Sequence, residues 1–143
     1  MHTVKIASWS TGLALVLTST AWAQAPQPKA QTATQFYVAY RAAFDKATKV
    51  DDLFPFMAAK NLKQVQATPA ADREKMFGMM KIMGALTELK VTKEERTPEG
   101  GALLTAEGLA ASLSDAAKKE KQAGKITIVK EGGAWKLDRE EWH

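Results

Sequence analysis

The stretch from Gly124 to Trp142, GKITIVKEGGAWKLDREEW, constrains this chain more than any other. Apolar and polar residues alternate on both sides of Gly132-Gly133, a pair that can take the positive φ values a tight hairpin loop needs. With that pair as the loop, Lys130 faces Trp135, Ile128 faces Leu137 and Ile126 faces Arg139, so Ile126, Ile128, Trp135 and Leu137 share an apolar face. The opposite face pairs Val129 with Lys136, Thr127 with Asp138 and Lys125 with Glu140, and the last pair, opposite in charge, supports this register over a one-residue slip. Parity puts Trp142 on the polar face, and only a bulge would turn it inward. A half-apolar hairpin needs a covering layer, which the rest of the chain must supply.

The N-terminus reads differently. Lys5, the apolar run around Gly12 to Leu17 and Ala21-Trp22-Ala23 make residues 1–23 a signal peptide by pattern, with cleavage after Ala23. The run is shorter than the roughly 20 residues of a membrane-spanning helix, so no transmembrane segment is expected after processing, and a periplasmic or secreted location is expected. Absence of cysteine excludes disulfides and a lipid-modified cysteine at the cleavage site. Residues 24–31, QAPQPKAQ, lack large apolar side chains and read as a flexible leader. Residues 32–143 are then enough for one domain with one core.

Thr32 and Gln35 fit a capping box, and Phe36, Tyr37, Tyr40, Ala43, Phe44 and Ala47 fall on one side of the helix it starts, with Gln35, Arg41 and Asp45 opposite. Asp51-Asp52 before Leu53-Phe54-Pro55 predicts a second helix running to about Gln66, with Phe54, Met57, Leu62 and Val65 toward the core. Thr68-Pro69 starts a third, through Met83, whose Met76, Met79, Met80 and Met83 share one stripe. From Leu86 the period becomes two: Leu89 and Val91 alternate with polar residues, Pro98 to Gly101 breaks the strand, and Ala102 to Ala106 returns. Ser114 to Gly124 reads as a polar excursion able to hold a short helix, ended by Gly124. Helices followed by strands give an α+β class, three N-terminal helices packed on a four-stranded antiparallel sheet.

FYVAYRAAFDKA, VDDLFPFM and, most specifically, ITIVKEGGAWKLDREEW resemble small exported bacterial members of the nuclear-transport-factor-2-like superfamily over about residues 32 to 142. The resemblance implies a cone in which helices wrap into a curved sheet around a central pocket, on a scaffold shared by binding modules, assembly domains and a few isomerases and dehydratases. In such a cone, Phe36, Tyr37, Tyr40, Phe44 and Trp135 are the candidate pocket residues, with at least one tyrosine hydroxyl expected at the mouth.

Catalytic chemistry has few carriers. His143 is the one histidine after Ala23, and enzymes on similar scaffolds place tyrosine or carboxylate in the cone, so a lyase or isomerase would use Tyr37 or Tyr40 as donor and Asp138 or Asp45 as base. Both aspartates fall on polar faces, away from those tyrosines. Met76, Met79, Met80 and Met83 could offer thioethers to Cu(I), although core packing is the simpler use of a methionine stripe. Lys118, Lys119, Lys121 and Lys125 lack interleaved aromatics, which speaks against nucleic acid. No phosphate-cradling loop, zinc-ligand spacing or nucleophile elbow implies a cofactor. The sequence therefore favours a non-catalytic exported domain that binds a small molecule, a peptide or another protein subunit through a cone pocket or an open sheet face. Pairing of two copies through that face is one such arrangement.

Overall fold

The computed structural model describes residues 31–143. The expected signal peptide, its cleavage site and all but the last residue of the expected flexible leader lie outside the described residues. The described chain has an α+β arrangement: helices α1 (Ala33–Lys46), a 3-10 helix (Val50–Phe56), α2 (Ala59–Ala67) and α3 (Ala70–Met83), then strands β1 (Thr87–Arg96), β2 (Ala102–Ala111), β3 (Lys119–Glu131) and β4 (Ala134–Trp142). The strands form one antiparallel sheet in chain order.

The reason α1 starts where it does is local. Thr32 and Gln35 exchange the two bonds of a capping box, 3.1 and 3.0 Å, and Glu94 reaches over from β1 to accept from the Thr34 amide and hydroxyl. Four aromatics at helical spacing, Phe36, Tyr37, Tyr40 and Phe44, then press onto Ala102, Leu104 and Ala106 of β2, Ile126 and Ile128 of β3 and Trp135 of β4. Small residues on β2 leave depth for the large ones on α1, which is how a close-packed core fills without voids.

Arg41, which periodicity places on the polar side of α1, is buried, with only 6% of its surface exposed. Its position four residues beyond Tyr37 lets both side chains reach the same carboxylate, that of Glu140 on β4. The expected second helix is two elements. Asp52 does start it, accepting from the Thr48 and Lys49 amides, but Pro55 lies inside a 3-10 segment. Met57 then turns extended to bridge Leu137, and the Ala58 amide bonds the Leu137 carbonyl at 2.9 Å. That contact covers part of the β4 edge, a use for extended backbone that no helical repeat would signal.

Ser114 to Gly124 also departs from expectation. Asp115 caps a single turn, accepting from the Ala117 amide by its side chain and from the Lys118 amide by its carbonyl, and β3 begins at Lys119. The chemistry of the cap is readable in the sequence; the stretch after it pairs with β2 from Ala111 to Glu107 instead of continuing a helix. Gly124 thus sits within a strand. The hairpin loop is as expected, with Gly132 at φ 58° and Gly133 at φ 80°.

The largest correction concerns α3. Phe77 is buried and Met80 packs on the core, yet Met79, Ile82 and Met83 are 63%, 80% and 70% exposed and Met76 is at 36%. The four methionines do share a stripe, but most of it faces solvent. The helix is held from another side: Lys81 donates to the Phe44 and Asp45 carbonyls at 2.6 and 2.9 Å, and Arg73 pairs with Asp51 at 3.5 Å. Those anchors and Phe77 lie on one arc, and the methionine stripe is rotated away from it.

Candidate functional site

A bulge in β4 makes the most concentrated polar site of the described residues. Lys130 pairs with Trp135, Val129 with Lys136 and Ile128 with Leu137, as alternation requires. Between Ile128 and Thr127 the register shifts by one, so Thr127 faces Arg139, Ile126 faces Glu140, Lys125 faces Glu141 and Gly124 faces Trp142. The expected pairs Ile126 with Arg139, Thr127 with Asp138 and Lys125 with Glu140 do not form. Asp138 is the extra residue, and its surroundings explain why the strand breaks there: Asn61 donates to its carbonyl at 2.6 Å and Lys60 pairs with its carboxylate at 2.8 Å. Docking of α2 on this edge and the bulge occupy the same place.

One extra residue reverses every side chain beyond it. Glu140 and Trp142 turn toward α1, and Trp142 lies over Gly124, where an added Cβ would come within 2.8 Å of the indole ring. Glu140 Oε1 then accepts from three donors: Tyr37 Oη at 2.6 Å, Trp142 Nε1 at 2.8 Å and Arg41 Nη1 at 3.0 Å. A second nitrogen of Arg41 reaches the Gly84 carbonyl after α3. The cluster ties α1, the end of α3 and β4 together.

Burial first, and the Glu140 carboxylate second, hold the Tyr37 phenol far above its ordinary pKa; burial and the same carboxylate raise Tyr40 as well. Both tyrosines therefore stay neutral, and Tyr37 is the one whose hydroxyl donates to Glu140. A phenol so placed is a poor proton source, since its phenolate would be both desolvated and repelled, and the carboxylate oxygen nearest it already receives three bonds. The arrangement is built to hold a geometry.

The structure places each residue singled out from the sequence. Phe36, Tyr37, Tyr40, Phe44 and Trp135 are all buried members of one core, with Tyr40 within 6.2 Å of the Phe44 ring and 5.8 Å of Phe56. Trp135 Nε1 donates to the Gln31 carbonyl at 2.6 Å, and Arg96 and Lys130 lie over its ring at 5.0 and 4.6 Å. Asp45 is exposed, and Asp138 is spent on Lys60, so neither stands with the tyrosines. The carboxylate that does is Glu140, which alternation alone assigns to the wrong face. The available signal is Trp142: a tryptophan on a polar face is unusual, and turning it inward brings Glu140 with it.

A cleft of about 210 Å³ lies between the 3-10 helix and α3, lined by Lys49, Asp51, Arg73, Glu74 and Phe77 among others. It is below the size of ordinary small-molecule sites. Among the described residues no three His, Cys, Asp or Glu side chains gather as for a metal ion, and no helix is long and apolar enough to cross a membrane.

Comparison with known proteins gives little. No family model matches the chain, and no curated protein matches it. Among solved structures, the intermembrane space region of the chloroplast protein ARC6 aligns over 79% of this chain and 98% of its own, with a TM-score of 0.34 at 10% identity.

Proposed function

We propose that this chain is an exported, non-catalytic interaction domain of the nuclear-transport-factor-2-like kind, and that it binds another protein subunit through the sheet face its helices leave open. The observation that carries the reading is the contrast between the two faces. The inner face is consumed: its aromatics are packed on one another, the Glu140 carboxylate is bonded three times on a single oxygen, and Glu94 is held by Thr34. The outer face keeps Thr105, Thr127 and Val129 half-exposed and outside the core cluster. Around them Lys90, Lys93, Lys121, Lys125 and Arg139 stand with Glu95, Glu107 and Glu141; Lys93 pairs with Glu95 and Arg139 with Glu141, and the basic residues left over make the complementary partner surface acidic.

The resemblance carried by ITIVKEGGAWKLDREEW supports the same reading, since assembly domains are among the uses of that scaffold. A lyase or isomerase with a tyrosine and carboxylate would have to use Tyr37 and Glu140, and the bonding of that pair favours structure over turnover.

Native mass spectrometry of the protein purified from its own cells tests this, with Val129→Glu as the comparison. The expected result is a processed chain carrying a second subunit that Val129→Glu loses. A monomer that instead retains a small molecule, unaffected by Val129→Glu, would contradict it and return the binding site to the interior.

A further inference from the structure

Most of the methionine stripe of α3 lies outside the core. Four of the six methionines of the chain, Met76, Met79, Met80 and Met83, lie on it, and only Met80 packs against the core. Exposed large apolar side chains gathered on one surface generally serve contact or binding. Had the helix merely needed apolar residues of good helix propensity, leucine would serve equally. What methionine adds is a soft, unprotonated sulfur on a chain with three rotatable bonds.

Their spacing is closed. Met76 and Met80, and Met79 and Met83, are four residues apart; Met76 and Met79, and Met80 and Met83, are three apart. Side chains at those separations are neighbours with Cβ atoms about 5 to 6 Å apart, so the four outline a lozenge on the helix surface. Met79 and Met80 belong to two triangles within it, one completed by Met76 and one by Met83. Thioethers on arms of that length can converge on one ion from either triangle. Lys81 is drawn aside to the Phe44 and Asp45 carbonyls, which keeps its charge off the stripe. Zinc and other borderline ions meet no rival cluster of His, Cys, Asp or Glu among the described residues.

We propose that Met76, Met79, Met80 and Met83 form a surface site on α3 for one soft monovalent metal ion, Cu(I). Three thioethers supply a neutral, soft ligand set that selects Cu(I) over divalent ions. Binding needs no deprotonation, so it is independent of pH across the range in which the fold is stable, unlike a thiolate or imidazole site. The site is independent of subunit binding at the open sheet face, because α3 and the outer sheet face are different surfaces.

The test is an anaerobic titration of the full chain with Cu(I) supplied as its bicinchoninate complex, with Met79→Leu/Met83→Leu alongside. Both positions are exposed, so the leucines leave the core untouched, and circular dichroism with the thermal midpoint checks that they do. The wild type should withdraw one equivalent of Cu(I), with shifts confined to the α3 methionine methyl resonances. The double variant should bind at least about tenfold more weakly, having lost thioethers for which leucine offers no lone pair. No withdrawal of Cu(I), or equal withdrawal by a folded double variant, overturns the proposal. So does a dimer that needs Met79 and Met83 but takes up no Cu(I), which would make the stripe a protein contact.

Discussion

Helices α1 and α3 are each 14 residues long, and each carries an apolar stripe at helical spacing, yet one is the centre of the core and the other shows its stripe to solvent. The difference lies in what holds each end. A capping box fixes the start of α1 and Glu94 adds a second acceptor, and its aromatics meet a sheet face of small and branched residues. Pro69 precedes α3 with no side-chain cap, Gly78 interrupts it, and its anchors are Phe77, Arg73 and Lys81 on a different arc from the methionines. Periodicity says which residues share a side. What covers that side is decided by the anchors.

The sharpest break between the two helices should come from truncation. Phe44→Ala in α1 removes a buried ring and should cost about 3 to 5 kcal/mol, whereas Met79→Ala in α3 should stay within about 0.5 kcal/mol. Urea unfolding of both variants measures the contrast, and similar values would erase it.

Next in size is the clamp that binds α1 to β4. Glu140→Ala strands the buried Arg41 and leaves Tyr37 and Trp142 without their acceptor, and should destabilise by about 3 kcal/mol. Glu140→Gln keeps an acceptor oxygen and should cost less, a ranking that denaturant midpoints can reverse or support.

A smaller effect, opposite in sign, belongs to α3. Nothing lies within 4 Å of where a Cβ on Gly78 would sit, so Gly78→Ala should stabilise by about 0.5 to 1 kcal/mol. A loss of stability would mean that α3 needs its flexibility or that the surface there is covered.

The smallest concerns the α1 cap. Burial opposes ionisation of Glu94, but the bonds from the Thr34 hydroxyl and amide outweigh it and lower its pKa. Its contribution is therefore whole above the ordinary glutamate range and disappears as pH falls through the lowered value. Glu94→Gln should be less stable than wild type at neutral pH, and the two curves should converge in acid. Parallel curves would assign the acid loss elsewhere.

Much of this architecture is legible in the residues. Gly132-Gly133 sets the loop, alternation sets the first three pairs of the hairpin, and Thr32 with Gln35 sets the start of α1. Legibility stops at Asp138, because a bulge is chosen by what docks on the strand, here Asn61 and Lys60, and not by the strand itself. Everything beyond it changes face, so Glu140 and Arg41, the polar centre of the molecule, are both hidden from a periodic reading. The aromatics of the candidate pocket are legible as an apolar set, but their close packing depends on small residues at Ala102 and Ala106, which no pattern in α1 reports.

Whether the Met79 and Met83 thioethers of α3 lie outside the core can be measured by limited peroxide oxidation of the folded protein with peptide-level mass spectrometry. Met79 and Met83 should oxidise first, Met57 and Met80 should lag, and the thermal midpoint should hardly move while they do. Oxidation of Met79 and Met83 that is as slow as that of Met80, or that proceeds only as the protein unfolds, would put the stripe back in the core and contradict the account.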